Sequence, residues 1–168
     1  MSSSIQFSID DSTFQENQNV NLSFEDEICQ VILKQNTSTP GFRLKQSVEI
    51  EKGNYELVVT GKASVNDTFF LWVQEEKSKQ SIGGTVHLSK TKEQIITHFS
   101  IESKCTINVG VLAHKHQIND KCWIDSIEIR PKIFQKQISK PQFLERNQNA
   151  ILSNNSDHWK ITANQDNS

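Results

Sequence analysis

The chain has 168 residues, 35% hydrophobic and 23% charged, which suits one domain with a modest core. With 18 basic and 20 acidic residues the formal charge is −2, a balance that excludes the basic face of a dedicated nucleic-acid binder. No apolar run approaches the roughly 20 residues of a membrane span, and the opening MSSSIQFSIDDS lacks the basic and apolar stretches of a signal peptide; if the native chain starts at Met1, it begins in the cytosol.

Along the chain the dominant period is two. Residues 1–18 form an N-terminal segment with one short strand-like run, SIQFSI (4–9). The runs NVNLSF (19–24), EICQVILKQ (27–35) and RLKQSVEI (43–50) follow, and STPG (38–41) and EKGN (51–54) supply turn residues. EKGN leads into YELVVTGKA (55–63), whose Tyr55, Leu57, Val59 and Ala63 share a face, so 43–50 and 54–62 are expected to pair as a hairpin. After ASVND (63–67), TFFLWVQ (68–74) puts Phe69, Leu71 and Val73 on one face, Phe70 and Trp72 on the other. Gly83-Gly84 marks a bulge or turn before TVHLS (85–89). EQIITHFSI (93–101), CTINVGVLA (105–113) and KCWIDSIEI (121–129) bring the total to about ten runs of ordinary strand length.

No run sustains an apolar face at helical spacing. Many short strands with frequent turns predict an all-β domain over 19–131: a two-sheet antiparallel β-sandwich, or jelly roll, since one open sheet would leave a face bare. From 132 isolated apolar residues lie among Asn and Gln. Residues 132–146 read as a linker or arm on the domain, and 147–168 as a mobile tail or the start of another module.

The last run contains a conflict. Ile124, Ile127 and Ile129 should all face the core, but 124 and 127 differ by three, against strict alternation. One extra residue at Asp125–Ser126, a β-bulge, resolves it. A carboxylate on such a bulge can accept hydrogen bonds from a neighbouring turn or bind a hard cation. Cys29, Cys105 and Cys122 lie far apart without a CxxC, and their odd number rules out a fully paired disulfide framework within the chain, so buried free thiols are expected. His114 and His116 fall in the loop of a predicted final hairpin, where a solvated tip is the commoner explanation than metal binding.

Three stretches together resemble a known family. QSVEIEKGNYELVVTGKA matches a strand, glycine turn, aromatic and alternating strand; VGVLA, a polar loop and CWIDSIEI match a closing hairpin with an isoleucine–aspartate pair; NLSFEDE (21–27) looks like an opening phenylalanine–glutamate pair. Over 19–131 the chain is similar to the galactose-binding-like β-sandwich of carbohydrate-binding module families 4/9 and 22. The resemblance implies a lectin-like, non-catalytic binding module. It also implies a structural calcium ion, held in part by Glu25 and Asp125 with backbone carbonyls and water completing the six to eight oxygens calcium takes.

Sugars are bound by aromatic faces and by polar groups that fix their hydroxyls. The useful rings in a sandwich are those out of phase with the core: Phe70, Trp72 and Trp123. Lys62, Gln74 and Asn108 share that outward parity. If their strands are neighbours, these six residues form one platform for an oligosaccharide; alternatively the 132–146 arm or residues 1–18 cover the rings as a second small core.

Enzyme readings find no support in the sequence. Glu75 and Glu76 are adjacent, and Glu49 and Glu51 flank a turn, so neither pair suggests carboxylates facing across a cleft. No G-x-S-x-G, P-loop or G-x-G-x-x-G occurs. Two readings stand: a carbohydrate-binding module, targeting a larger glycan-active protein and so accompanied by other domains, or a structural or protein-interaction sandwich with no sugar ligand.

Overall fold

Alternation of apolar and polar side chains becomes an all-β molecule in the computed structural model, which describes residues 3–35, 40–132, 150–155 and 158–163. The larger unit, Met1–Ile133, carries eleven strands. They are β1 (Ile5–Phe7), β2 (Val20–Glu25), β3 (Ile28–Leu33), β4 (Gly41–Arg43), β5 (Val48–Ile50) and β6 (Gly53–Ala63), then β7 (Phe69–Glu75), β8 (Ser81–His87), β9 (Glu93–Ile101), β10 (Cys105–Ala113) and β11 (Lys121–Pro131). The second unit, Phe134–Ser168, contains an antiparallel hairpin of β12 (Ala150–Asn155) and β13 (His158–Ala163). Tail and arm expectations for 133–149 fall outside the described residues.

The hydrogen-bonded path runs β2-β3-β11-β6-β9-β8-β7-β10-β4, with β1 added to β11 and β5 to β10. It divides between β9 and β8, which share one paired position, Gly83 with Phe99. Gly83 and Gly84 take positive φ, 105° and 68°, and Gly84 lies against the Phe99 ring. This is the bulge read from the glycine pair, and it lets the chain turn from one layer into the other. β2, β3, β11, β1, β6 and β9 make the first layer, and β8, β7, β10, β4 and β5 the second. Leu57, Val59, Ile124, Ile127 and Ile129 from the first meet Leu71, Val73, Val86, Val109 and Val111 from the second in a single buried cluster. The chain therefore has the predicted two-layer β-sandwich.

Connections differ from the sequence reading in two places. Residues 43–50 and 54–62 do not form a hairpin. The first run breaks into β4 and β5, both antiparallel to β10, whereas β6 pairs with β11 and β9 in the other layer. Glu51 and Lys52 thus carry the chain across the sandwich, and the Tyr55 hydroxyl donates to the Glu51 carbonyl at 3.0 Å. Nor do β10 and β11 pair; their 114–120 connection is an arch between layers. Turn chemistry marks where a strand ends but not which strand receives it. The hairpins β2–β3 and β7–β8 stay within a layer, the former through Asp26 and Glu27 at φ 50° and 60°, the backbone of a two-residue primed turn.

The N-terminal segment, set apart at 1–18, belongs to the sandwich. β1 pairs with β11 from Ile5↔Ile129 to Phe7↔Ile127, and Phe14 is fully buried against Phe42 at 5.9 Å between centroids. The run at 4–9 is legible as a strand, but its partners on β11 lie more than 100 positions away, so nothing local ties it to the sandwich.

Candidate functional site

Parity on each strand holds as read: Phe70, Trp72, Trp123 and Lys62 all turn away from the core and are partly exposed. They occupy two different surfaces. β7 is flanked by β10 and β8, while β11 is flanked by β3, β1 and β6. Phe70 and Trp72 therefore sit on the outer face of the second layer, and Trp123 and Lys62 on that of the first.

On the second layer the register builds an aromatic strip. His87, Phe70 and Leu112 are directly opposite one another across β8, β7 and β10, and Trp72, Gly110 and Arg43 form the next row across β7, β10 and β4. Phe70 stacks on His87 with centroids 5.6 Å apart and meets Trp72 at 6.1 Å with planes tilted by 50°. Trp72 reaches across to β10: a Cβ on Gly110 would fall 2.1 Å from its ring. Glycine here is what lets the indole lie over the neighbouring backbone. Arg43 is exposed beside this row and makes no ion pair among the described residues.

Gln74 and Asn108 face each other in the third row but are buried, 8% and 5% exposed, despite outward parity. Covering segments explain this. Asn108 Nδ2 donates to the Leu44 carbonyl at 2.9 Å and to Ser47 Oγ at 3.1 Å, and Gln74 Nε2 donates to the Lys79 carbonyl. Both amide oxygens are buried without a hydrogen-bond partner among the described residues. Ser47 also donates to Glu76, whose carboxyl is held below its ordinary value of 4.5 chiefly by the hydrogen bond from Lys79. The amides thus fix the rim of the strip.

On the first layer Trp123 lies opposite both Gln30 and Lys62, with the Lys62 ammonium 5.0 Å from the ring centroid. Beyond it the predicted bulge is present: Ile124 pairs with Gly61 and Ser126 with Thr60, leaving Asp125 as the extra residue. Asp125 and Glu25 line one groove of about 670 Å³, together with Asp10, Asp26 and Glu128. Asp125 accepts a hydrogen bond from the Lys92 ammonium. Among the described residues no three His, Cys, Asp or Glu groups stand close enough to share a metal ion. Glu25 and Asp125 thus border the same groove, with the Lys92 ammonium on the bulge carboxylate.

The thiols are quiet. Burial pushes Cys29 up to about 12 and holds Cys122 well above the ordinary thiol range, and partial burial followed by the Glu75 carboxylate raises Cys105. No described cysteine is a thiolate nucleophile at neutral pH.

Sequence reasoning missed His87, Arg43 and Gly110. Outward parity of His87 between buried Val86 and Leu88 was legible; Gly110 and Arg43 gain meaning only from the register that sets them beside Trp72.

No protein-family model and no curated protein matches the sequence. Solved structures do match in fold. A family 4 carbohydrate-binding module is 11% identical with a TM-score of 0.51, covering 73% of this chain and 100% of its own. A low-affinity xylan-binding module of family 86 from the gut symbiont Roseburia intestinalis is 12% identical with a TM-score of 0.53, covering 78% and 97%. A family 6 module from Cellvibrio mixtus lichenase 5A, in complex with cellotriose, is 11% identical with a TM-score of 0.53, covering 77% and 98%. The chain has the β-sandwich fold of carbohydrate-binding modules.

Proposed function

We propose that this domain is a non-catalytic carbohydrate-binding module whose platform is the outer face of β8, β7, β10 and β4. The observation that carries the reading is the Trp72 indole lying over Gly110, extended by the Phe70 and His87 rings and flanked by the exposed Arg43. Such a strip offers π-faces to the C–H faces of successive sugars, and the guanidinium offers five donors to their hydroxyls. Gln74 and Asn108 act by holding the 75–80 turn and the 44–47 segment at the rim. Fold-mates that bind xylan or hold cellotriose support the reading by analogy of architecture alone. In its fuller form, the module targets a larger glycan-active protein. The bulge carboxylate needs no ion in this reading, since Lys92 supplies its counter-charge.

A glycan array, followed by tryptophan-fluorescence titration of the wild type and Trp72→Ala, tests the proposal. The expected result is binding to at least one glycan class that Trp72→Ala weakens at unchanged melting temperature. Absence of binding to any glycan, with dimerisation in size-exclusion chromatography, would favour the interaction-domain reading.

A further inference from the structure

We propose that the first layer carries a second glycan site centred on Trp123, so that one domain grips two chains on separate surfaces. The inference rests on reading the Trp72 face as a glycan platform. It is carried by a four-strand row: Ser23, Gln30, Trp123 and Lys62 stand opposite one another across β2, β3, β11 and β6. Their chain neighbours Cys29, Val31, Cys122, Ile124, Gly61 and Ala63 are buried, so Gln30, Trp123 and Lys62 point outward.

The row is an aromatic plate with polar arms. Lys62 reaches over the indole, and Ser23 Oγ lies 3.4 Å from Gln30 Oε1, which leaves the Gln30 amide nitrogen without a partner among the described residues. Beside the plate opens a hollow of about 160 Å³, bounded by Ser23, Glu25, Asp26, Ile28, Gln30 and Trp123. That is the liquid volume of about five waters at ~30 Å³ each, space for one sugar ring. Gln30 and Lys62 donate, and Glu25 and Asp26 accept. A sugar hydroxyl does both, so this alternation fits a hydroxyl-rich ligand. Within the hollow the two carboxylates disfavour uronate or sulfate groups, so the ligand assigned to this site is an uncharged oligosaccharide whose hydroxyls also meet the Lys62 ammonium over the ring. A cross-strand Lys–Trp pair serving only the sheet would need neither the hollow nor the free amide.

Calorimetric titration of the full chain with uncharged cello-, xylo- and laminari-oligosaccharides decides the matter, using the wild type, Trp72→Ala, Trp123→Ala and the double variant. Two ligands per wild-type chain are expected, one for each single variant and none for the double. Gln30→Ala, which keeps the plate, should weaken the Trp123 site about tenfold, the scale of a lost hydrogen bond to a bound ligand. One-to-one binding that Trp123→Ala leaves unchanged would overturn the second site while sparing the Trp72 platform. One-to-one binding lost only in Trp123→Ala would instead remove the Trp72 platform and the two-site claim together, and a wild type that binds none of these sugars would overturn both.

Discussion

The Trp72 and Trp123 faces begin from the same instruction and end as different surfaces. Both tryptophans stand out of phase with a buried strand, flanked by Leu71 and Val73 in one case and by Cys122 and Ile124 in the other. Beside Trp72 the partner strand offers Gly110, so the indole spreads over backbone and joins two more rings in a strip. Beside Trp123 the partners are Lys62 and Gln30, so a single ring is framed by polar arms above a small hollow. Parity decides which ring faces out; the residues across the ladder decide what that ring can hold.

The contrast can be broken at several points. Within β7, Leu71→Ala should cost about 2–5 kcal/mol by opening the core, whereas Trp72→Ala should change stability by less than ~1 kcal/mol; thermal denaturation of both variants checks this. Asn108→Ala removes the anchor of the 44–47 segment and should cost about 1–3 kcal/mol, with protease cleavage appearing within 44–47 and both tryptophan environments retained. Gly110→Ala forces a methyl into the space of the Trp72 ring. Glycan affinity at that face should fall about tenfold, a 1.4 kcal/mol loss, while the indole signal of Trp123 stays unmoved. The smallest effect belongs to the bulge: Asp125→Ala breaks a half-exposed ion pair worth about 0–1 kcal/mol. Chelator should leave the melting temperature of the wild type unchanged, and a calcium-dependent rise would show that Lys92 yields its place to an ion.

Much of this was legible in one dimension because strand parity is local. The clash of Ile124 with Ile127 located the Asp125 bulge, and the alternation in 68–74 separated Phe70 and Trp72 from Phe69, Leu71 and Val73. Pairing was not legible. The 51–54 turn looks like a hairpin, yet β5 and β6 belong to opposite layers, since the partner of each is chosen by core complementarity over long sequence distances. For the same reason six outward residues read as one platform are divided: Phe70, Trp72, Gln74 and Asn108 on one layer, Lys62 and Trp123 on the other. The burial of Gln74 and Asn108 was hidden as well, because the segments that cover them, 44–47 and 75–80, do so through side-chain-to-carbonyl bonds that no period records.

The most direct measurement is a ¹H–¹⁵N correlation spectrum of the full chain during titration with the glycan class chosen by array, following the indole N–H of Trp72 and the amides of Gly110 and Arg43. The account predicts that all three shift saturably with ligand. A Trp72 indole that stays still while glycan binds elsewhere would contradict it.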